Sequence, residues 1–246
     1  MEIPFPQTEV PFLTTQQMIE VDRAMMEDYK IELIQMMENA GRNLAHLARI
    51  RFLENNPVGK KVVVLAGTGG NGGGALVAAR RLHNWGANVF IVISKPPQNF
   101  TPIPGHQLDI AQRMNIPIYP AHQVIYVQNP ALILDGLIGY SLKGSPYGST
   151  AELITWAIQQ PTPILALDVP SGMDATSGTL FDPVIKATAT LTLALPKQGL
   201  QNPDVREMIG ELYVADISVP PELYANEKLA LTVNPIFAQN EILRLW

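Results

Sequence analysis

The chain has 246 residues and 47% hydrophobic composition, enough for one large α/β domain and too apolar for disorder to be its main state. No apolar run approaches the roughly eighteen residues of a membrane-spanning helix, so a soluble protein with no membrane partner is expected. The absence of cysteine excludes a disulfide framework, a thiol nucleophile and a thiolate metal site. A net charge of -5, from 17 basic and 22 acidic residues without a basic run, gives no electrostatic footprint for nucleic acid and favours a small-molecule partner.

The N-terminus, MEIPFPQTEVPF, has no charged segment followed by an apolar one, and reads as a mature, cytoplasmic start. Thr14 and Gln17 have the spacing of a capping box, which predicts a helix start there. Met18, Asp22, Met25 and Tyr29, then Leu33, Met37, Ala40, Leu44 and Leu47, recur at three- and four-residue intervals and predict two helices interrupted near residues 29–32. From Lys61 the pattern changes to short β-branched runs at residues 62–66, 89–93, 116–119, 131–134, 164–167, 189–195 and 212–214. Several are apolar throughout, as in strands covered on both faces. Helical segments are predicted between them at residues 74–85, 105–114 and 149–159. Such alternation predicts a parallel sheet with helices on both sides. Residues 1–220 read as one domain, and residues 221–246 as a tail that forms an appended helix or docks on a partner.

The chemistry concentrates in loops. The strand at residues 62–66 runs into Gly67-Thr68-Gly69-Gly70-Asn71-Gly72-Gly73-Gly74 and then a helix. A glycine-rich turn at a helix N-terminus offers free N–H groups and a favourable dipole to an anion, a packing loop being the plainer alternative. No Lys-Ser/Thr follows, so the loop is not a Walker A motif. The acidic residue that a dehydrogenase would place at the end of the second strand is missing from residues 88–95. Asp135 and Asp168 each follow an apolar strand, where open α/β sheets bind ligands; capping the next turn is the alternative role for each. Ser171 lies in the turn after Asp168, and Lys143 is the one cation of the loop after Asp135, where a solvated lysine is the plain reading. His46, His83, His106 and His122 are scattered, so a transition-metal site is not expected, while the carboxylate, hydroxyl and amide oxygens suit a hard cation.

Several segments together carry a resemblance: Met37-Glu38-Asn39-Ala40-Gly41, the loop and helix at residues 67–80, residues 135–144, Leu167-Asp168-Val169-Pro170-Ser171-Gly172-Met173-Asp174, Pro196-Lys197-Gln198-Gly199-Leu200 and Val214-Ala215-Asp216-Ile217. In this order they resemble the NAD(P)H-hydrate epimerases, the YjeF N-terminal domain family that also contains the apolipoprotein A-I-binding protein. The resemblance implies a Rossmann-like three-layer α/β/α sandwich with a mostly parallel central sheet, often dimeric. It implies epimerisation at C6 of the hydrated nicotinamide ring, interconverting R and S forms of NADHX and NADPHX so that a separate dehydratase can repair the S form. By motif, Asn71, Asp135 and Ser171 would bind K+. Gly70, Asn71, Gly72, Gly73, Gly74, Gly139, Tyr140, Ser141, Leu142, Lys143, Gly144, Ser145 and Asp168 would contact the ligand, with Asp168 and Lys143 as the catalytic pair. Many bacterial relatives fuse this domain to a dehydratase; at 246 residues a fused dehydratase is not expected here.

The glycine-rich loop departs from the family pattern G-x-G-N-N-G-G-D-G, with Gly70 and Gly74 standing where Asn and Asp are usual. A nucleotide-binding or assembly module of the same fold, without catalysis, is therefore the alternative to the enzyme. A dehydrogenase is disfavoured by the missing ribose acid.

Overall fold

The computed structural model describes residues 3–246. Two helices come first, α1 (Thr15–Glu27) and α2 (Leu33–Phe52). The expected capping box starts α1: the Gln17 N–H donates to Thr14 Oγ1 at 3.1 Å, and the Thr14 N–H donates to Gln17 Oε1 at 2.9 Å. The break between the helices falls where the apolar spacing fails.

Strands and helices then alternate: β1 (Lys61–Ala66), α3 (Gly70–Asn84), β2 (Asn88–Ile93), α4 (Pro102–Arg113), β3 (Ile118–Pro120), β4 (Leu132–Gly136), α5 (Gly148–Ile158), β5 (Ile164–Leu167), β6 (Ala189–Leu193), α6 (Arg206–Ile209), β7 (Glu211–Ala215), α7 (Pro221–Tyr224) and β8 (Ile242–Arg244). They build one eight-stranded sheet in the order β3-β2-β1-β4-β5-β6-β7-β8. Every neighbouring pair is parallel except β7 and β8. This is the three-layer, mostly parallel α/β architecture expected from the sequence. Among the described residues, no helix is long and apolar enough to cross a membrane.

Strand β1 explains the two faces. Val62, Val64 and Ala66 join a core with Leu44 and Leu47 of α2, Leu76 and Leu82 of α3 and Leu108 of α4. Val63 and Leu65 point the other way, into a core with Leu153, Ile154 and Ala157 of α5. Period-two alternation thus divides one continuous apolar run between two helical layers. Each fully buried Val or Leu contributes roughly 1.5–3 kcal/mol of transfer free energy, which is why the run tolerates no polar residue. The packing of α2 on α3 is close enough that a Cβ on Gly41 would stand 2.4 Å from Val77 Cβ.

Among the boundaries that differ from the sequence reading, three shape the site and its surroundings. Helix α3 begins at Gly70, four residues before the expected start, so the glycine-rich segment is mostly the helix's first turn. Strand β6 stops at Leu193, because Ala194 has φ +62° and cannot continue an extended strand. The segment after Pro220 supplies α7 and the antiparallel strand β8, whose Val214↔Leu243 pairing closes the β7 edge, and it buries Leu223, Tyr224 and Leu229 against α1.

Candidate active site

The strand order reverses between β1 and β4, which places a crevice at the carboxyl ends of those strands. A cavity of ≈ 350 Å³ opens there, bounded by the β1–α3 turn, the loop after β4, the ends of β5 and β6, and helices α1 and α2. Of the ligand-contact residues expected from the sequence, Gly70, Asn71, Gly139, Tyr140, Ser141 and Asp168 line it. Gly72, Gly73, Gly74, Leu142, Lys143, Gly144 and Ser145 do not. The glycines serve packing: a Cβ on Gly72 would sit 1.8 Å from the Gly67 carbonyl oxygen, and one on Gly73 would sit 2.3 Å from Met37 Sδ. Lys143 is exposed on its loop.

Asp168 terminates β5 in the left-handed region, φ +69°, with its N–H donating to the Leu191 carbonyl at 2.7 Å. Such a backbone costs of order 1–3 kcal/mol for a residue with a side chain, and it turns the carboxylate toward the cavity wall that Lys197 shares. Lys197 Nζ lies 2.5 Å from Asp168 Oδ1 and donates to the carbonyls of Leu193 at 2.8 Å and Leu195 at 3.2 Å. The lysine is itself pinned from the N-terminal segment: the Leu13 N–H donates to Pro196 O at 2.8 Å, and the Gln198 N–H donates to Leu13 O at 2.7 Å. A buried charge pair of this kind persists only with its remaining valences satisfied.

Asp135 and Ser171 form a second buried unit. Ser171 donates from its hydroxyl to Asp135 Oδ1 at 2.7 Å and from its N–H to Oδ2 at 2.9 Å, and the Leu137 N–H donates to Oδ1 at 3.2 Å. The Ile138 N–H donates to Ser171 Oγ at 2.9 Å, which ties the unit to the cavity loop. Burial pushes the Asp135 carboxyl up to about 6 against the lowering effect of these hydrogen bonds. Among the described residues no basic side chain pairs with it. Asn71 donates from Nδ2 to the Leu167 carbonyl at 2.7 Å, which aims its oxygen at Gly139, where a Cβ would come within 2.8 Å of it. Gly139 is glycine because Asn71 occupies that space. Asn71 thus lies against Gly139, next in the chain to the Ile138 that holds Ser171, while Asp135 and Ser171 bond each other directly; the oxygens of these three residues, with a carboxylate lacking a counter-charge, suit a hard cation.

The Tyr140 hydroxyl donates to Asp22 Oδ2, and both residues line the cavity. Burial raises the Asp22 carboxyl above its ordinary range, and burial together with Asp22 raises the Tyr140 phenol. Neither Lys197 nor Asp22 carried a role in the sequence reading. A signal existed for Asp22, an acid within the apolar face of α1 alongside Met18 and Met25; Lys197 gave none beyond its place in a matching segment.

A doubly wound parallel sheet with a ligand crevice at its switch point, glycine-rich turn and paired buried charges defines an α/β small-molecule site protein. The chain belongs to the family described as YjeF-related protein N-terminus, whose profile matches residues 33–199. It is 40% identical over 230 residues, 92% of this chain and 89% of the other, to a protein of Dehalogenimonas lykanthroporepellens named NAD(P)H-hydrate epimerase. It is 32% identical to the Bifunctional NAD(P)H-hydrate repair enzyme Nnr of Moorella thermoacetica over 87% of this chain, spanning 42% of that longer protein. The crystal structure of yeast ynu0 superposes with a TM-score of 0.81 at 25% identity, covering 96% of this chain and all of that one.

Proposed function

We propose that the chain is an NAD(P)H-hydrate epimerase, interconverting the R and S forms of hydrated NADH and NADPH. The observation that carries the reading is the Lys197–Asp168 pair, buried yet lining the switch-point cavity, in a chain so similar over most of its length to a protein bearing that name. The hydrated ring carries its hydroxyl on the carbon next to the ring nitrogen, so the C–O bond breaks once an acid supplies a proton to the oxygen. The proton shared by Lys197 and Asp168 is available for that transfer, and the loss of positive charge from the pair is balanced by the cation left on the ring. The N–H groups at the start of α3 suit the pyrophosphate.

Potassium would be held by Asn71, Asp135 and Ser171, where it would neutralise the buried carboxylate and fix the β1–α3 turn against the loop after β4. Lys143, on the exposed part of that loop, suits an outer phosphate contact rather than the ring. A homodimer and a separate dehydratase consuming the S form complete the reading; the Moorella relative, named bifunctional, is consistent with two repair activities in one chain.

The alternative, a nucleotide-binding module without turnover, is favoured by one feature, Gly70 and Gly74 in place of the family's Asn and Asp. The test is to equilibrate the folded protein with pure R-form NADHX in potassium buffer and follow the S form by chromatography, subtracting spontaneous epimerisation. A rate above background supports the enzyme; binding of NADHX at the background rate supports the module.

A further inference from the structure

Inversion at a single carbon needs proton handling for both an outgoing and an incoming oxygen. In the first half the C–O bond breaks, oxygen leaves as water after taking one proton, and the nitrogen electron pair forms a C–N double bond. In the second half water adds to the carbon from the other face, the double-bond pair returns to nitrogen, and the water sheds one proton. The Lys197–Asp168 pair answers the first requirement. The acceptor for the second lies on the other side of the ring and calls for a different group.

The cavity holds a second proton-bearing pair built from other elements. Asp22 comes from α1 and Tyr140 from the loop after β4, 118 residues apart in sequence, and the phenol donates to Asp22 Oδ2. Asp22 is half-buried on an otherwise apolar helix face that includes Met18 and Met25. An acid in that place is costly unless it is hydrogen-bonded, and the Tyr140 phenol is the donor that satisfies it. Lys197 and Asp168 are the other charged groups that act on Asp22, and Asp168 also acts on Tyr140, so the two pairs share one electrostatic environment.

Resting on the epimerase reading, we propose that Tyr140 and Asp22 are the second proton-handling pair, with Tyr140 the catalytic group that meets the incoming water and Asp22 the carboxylate that positions it. As water adds, its proton passes to Tyr140 Oη while the phenolic proton passes to Asp22 Oδ2. In the reverse direction the same relay runs outward and donates to the departing oxygen. The raised affinity of both groups for protons suits a relay that must hold and return one.

A purely mechanical role is the competing account, because the Thr15 hydroxyl also donates to the Tyr140 carbonyl at 3.4 Å and the contacts together anchor the loop to α1. The isosteric variants Tyr140→Phe and Asp22→Asn separate the two. A proton relay predicts that each lowers kcat for R-form NADHX by about 10²–10⁴-fold with KM nearly unchanged, and that Tyr140→Phe removes one limb of the kcat pH profile. An anchoring role predicts a raised KM and a lower melting temperature with kcat and its pH profile retained, and that result overturns the inference. An unmutated protein without activity overturns the epimerase reading itself. Activity that is lost in Asp168→Asn and kept in Tyr140→Phe overturns only the relay.

Discussion

Lys197 Nζ stands 2.5 Å from Asp168 Oδ1, with the lysine side chain 0% and the aspartate side chain 3% exposed. Removing the ammonium alone leaves a buried carboxylate without a counter-charge, which typically costs about 3–5 kcal/mol. Lys197→Met should therefore lose that much stability in urea unfolding and fall to the background rate of epimerisation. Adding Asp168→Asn to it removes both charges, and the double variant should recover part of the stability and none of the activity. A double variant no more stable than Lys197→Met would show that the pair's charges are not what the single substitution exposes.

Asp168→Asn alone is expected to be milder for folding. The Lys197 ammonium keeps its carbonyl acceptors on Leu193 and Leu195, and an asparagine amide tolerates φ +69° as well as aspartate does. Its amide does not exchange a proton with the ring oxygen, so a rate loss of about two to four orders of magnitude is expected with a cooperative melt retained. Wild-type turnover by this variant would remove Asp168 from the chemistry.

The Asp135 carboxyl gives a pH dependence of unusual sign. Its folded value, about 6, lies above the ordinary 3.8, so between these values the folded protein holds a proton that the unfolded chain has released. Stability in potassium-free buffer should fall as pH rises through this window, by on the order of 3 kcal/mol. A cation beside the ionised carboxylate offsets that loss. Potassium chloride should therefore raise the melting temperature more at pH 7 than at pH 5, relative to tetramethylammonium chloride at equal ionic strength. Equal shifts at both pH values, or an undiminished potassium effect in Asp135→Asn, would place the cation elsewhere.

Much of this arrangement could be read from the sequence because it is local. The capping box at Thr14, the apolar strands and the acids following β4 and β5 each announce themselves within a few residues. The start of α3 did not, since glycine is a poor helix former, and only the approach of Gly67, Met37 and Leu167 explains why residues 72–74 are glycines inside a helix. The partners that make the site are far apart: Asp22 meets Tyr140 across 118 residues, and Lys197 reaches Asp168 from a loop beyond the next strand. Strand β8 is three residues long and takes its conformation from the β7 edge, so no alternation marked it.

Lys143 provides the contrast with Lys197. It is exposed, and it does not line the cavity. A solvated lysine that meets a phosphate acts through a screened charge. Lys143→Ala should raise KM a few-fold at low salt, lose that effect at high salt, and leave kcat unchanged. A collapse of kcat in this variant would move the acid–base role onto the loop after β4.

The two departures from the family's glycine-rich pattern are structurally unequal. A Cβ on Gly70 meets nothing within 4 Å, and the residue lines the cavity at the first turn of α3. Gly70→Asn should fold with unchanged stability and add a polar side chain to the ligand's surroundings, tightening binding by roughly 0.5–1.5 kcal/mol if one new hydrogen bond forms. A Cβ on Gly74 instead falls 2.9 Å from Leu167 Cδ2 and 3.7 Å from Ala40 Cβ, inside the packing of α3 against β5 and α2. Gly74→Asp must displace Leu167 and bury a carboxylate beside it. The displacement costs about 1–3 kcal/mol, with the buried charge adding to that, and the favourable dipole at the helix start offsets only a fraction. The double variant should accordingly track Gly70→Asn in ligand affinity and Gly74→Asp in melting temperature. Restoring the family asparagine is thus the informative half of the experiment: a folded Gly70→Asn protein that gains NADHX affinity and turnover together would show that the departure tunes an active enzyme. Gain of affinity with the rate still at background would favour the binding module.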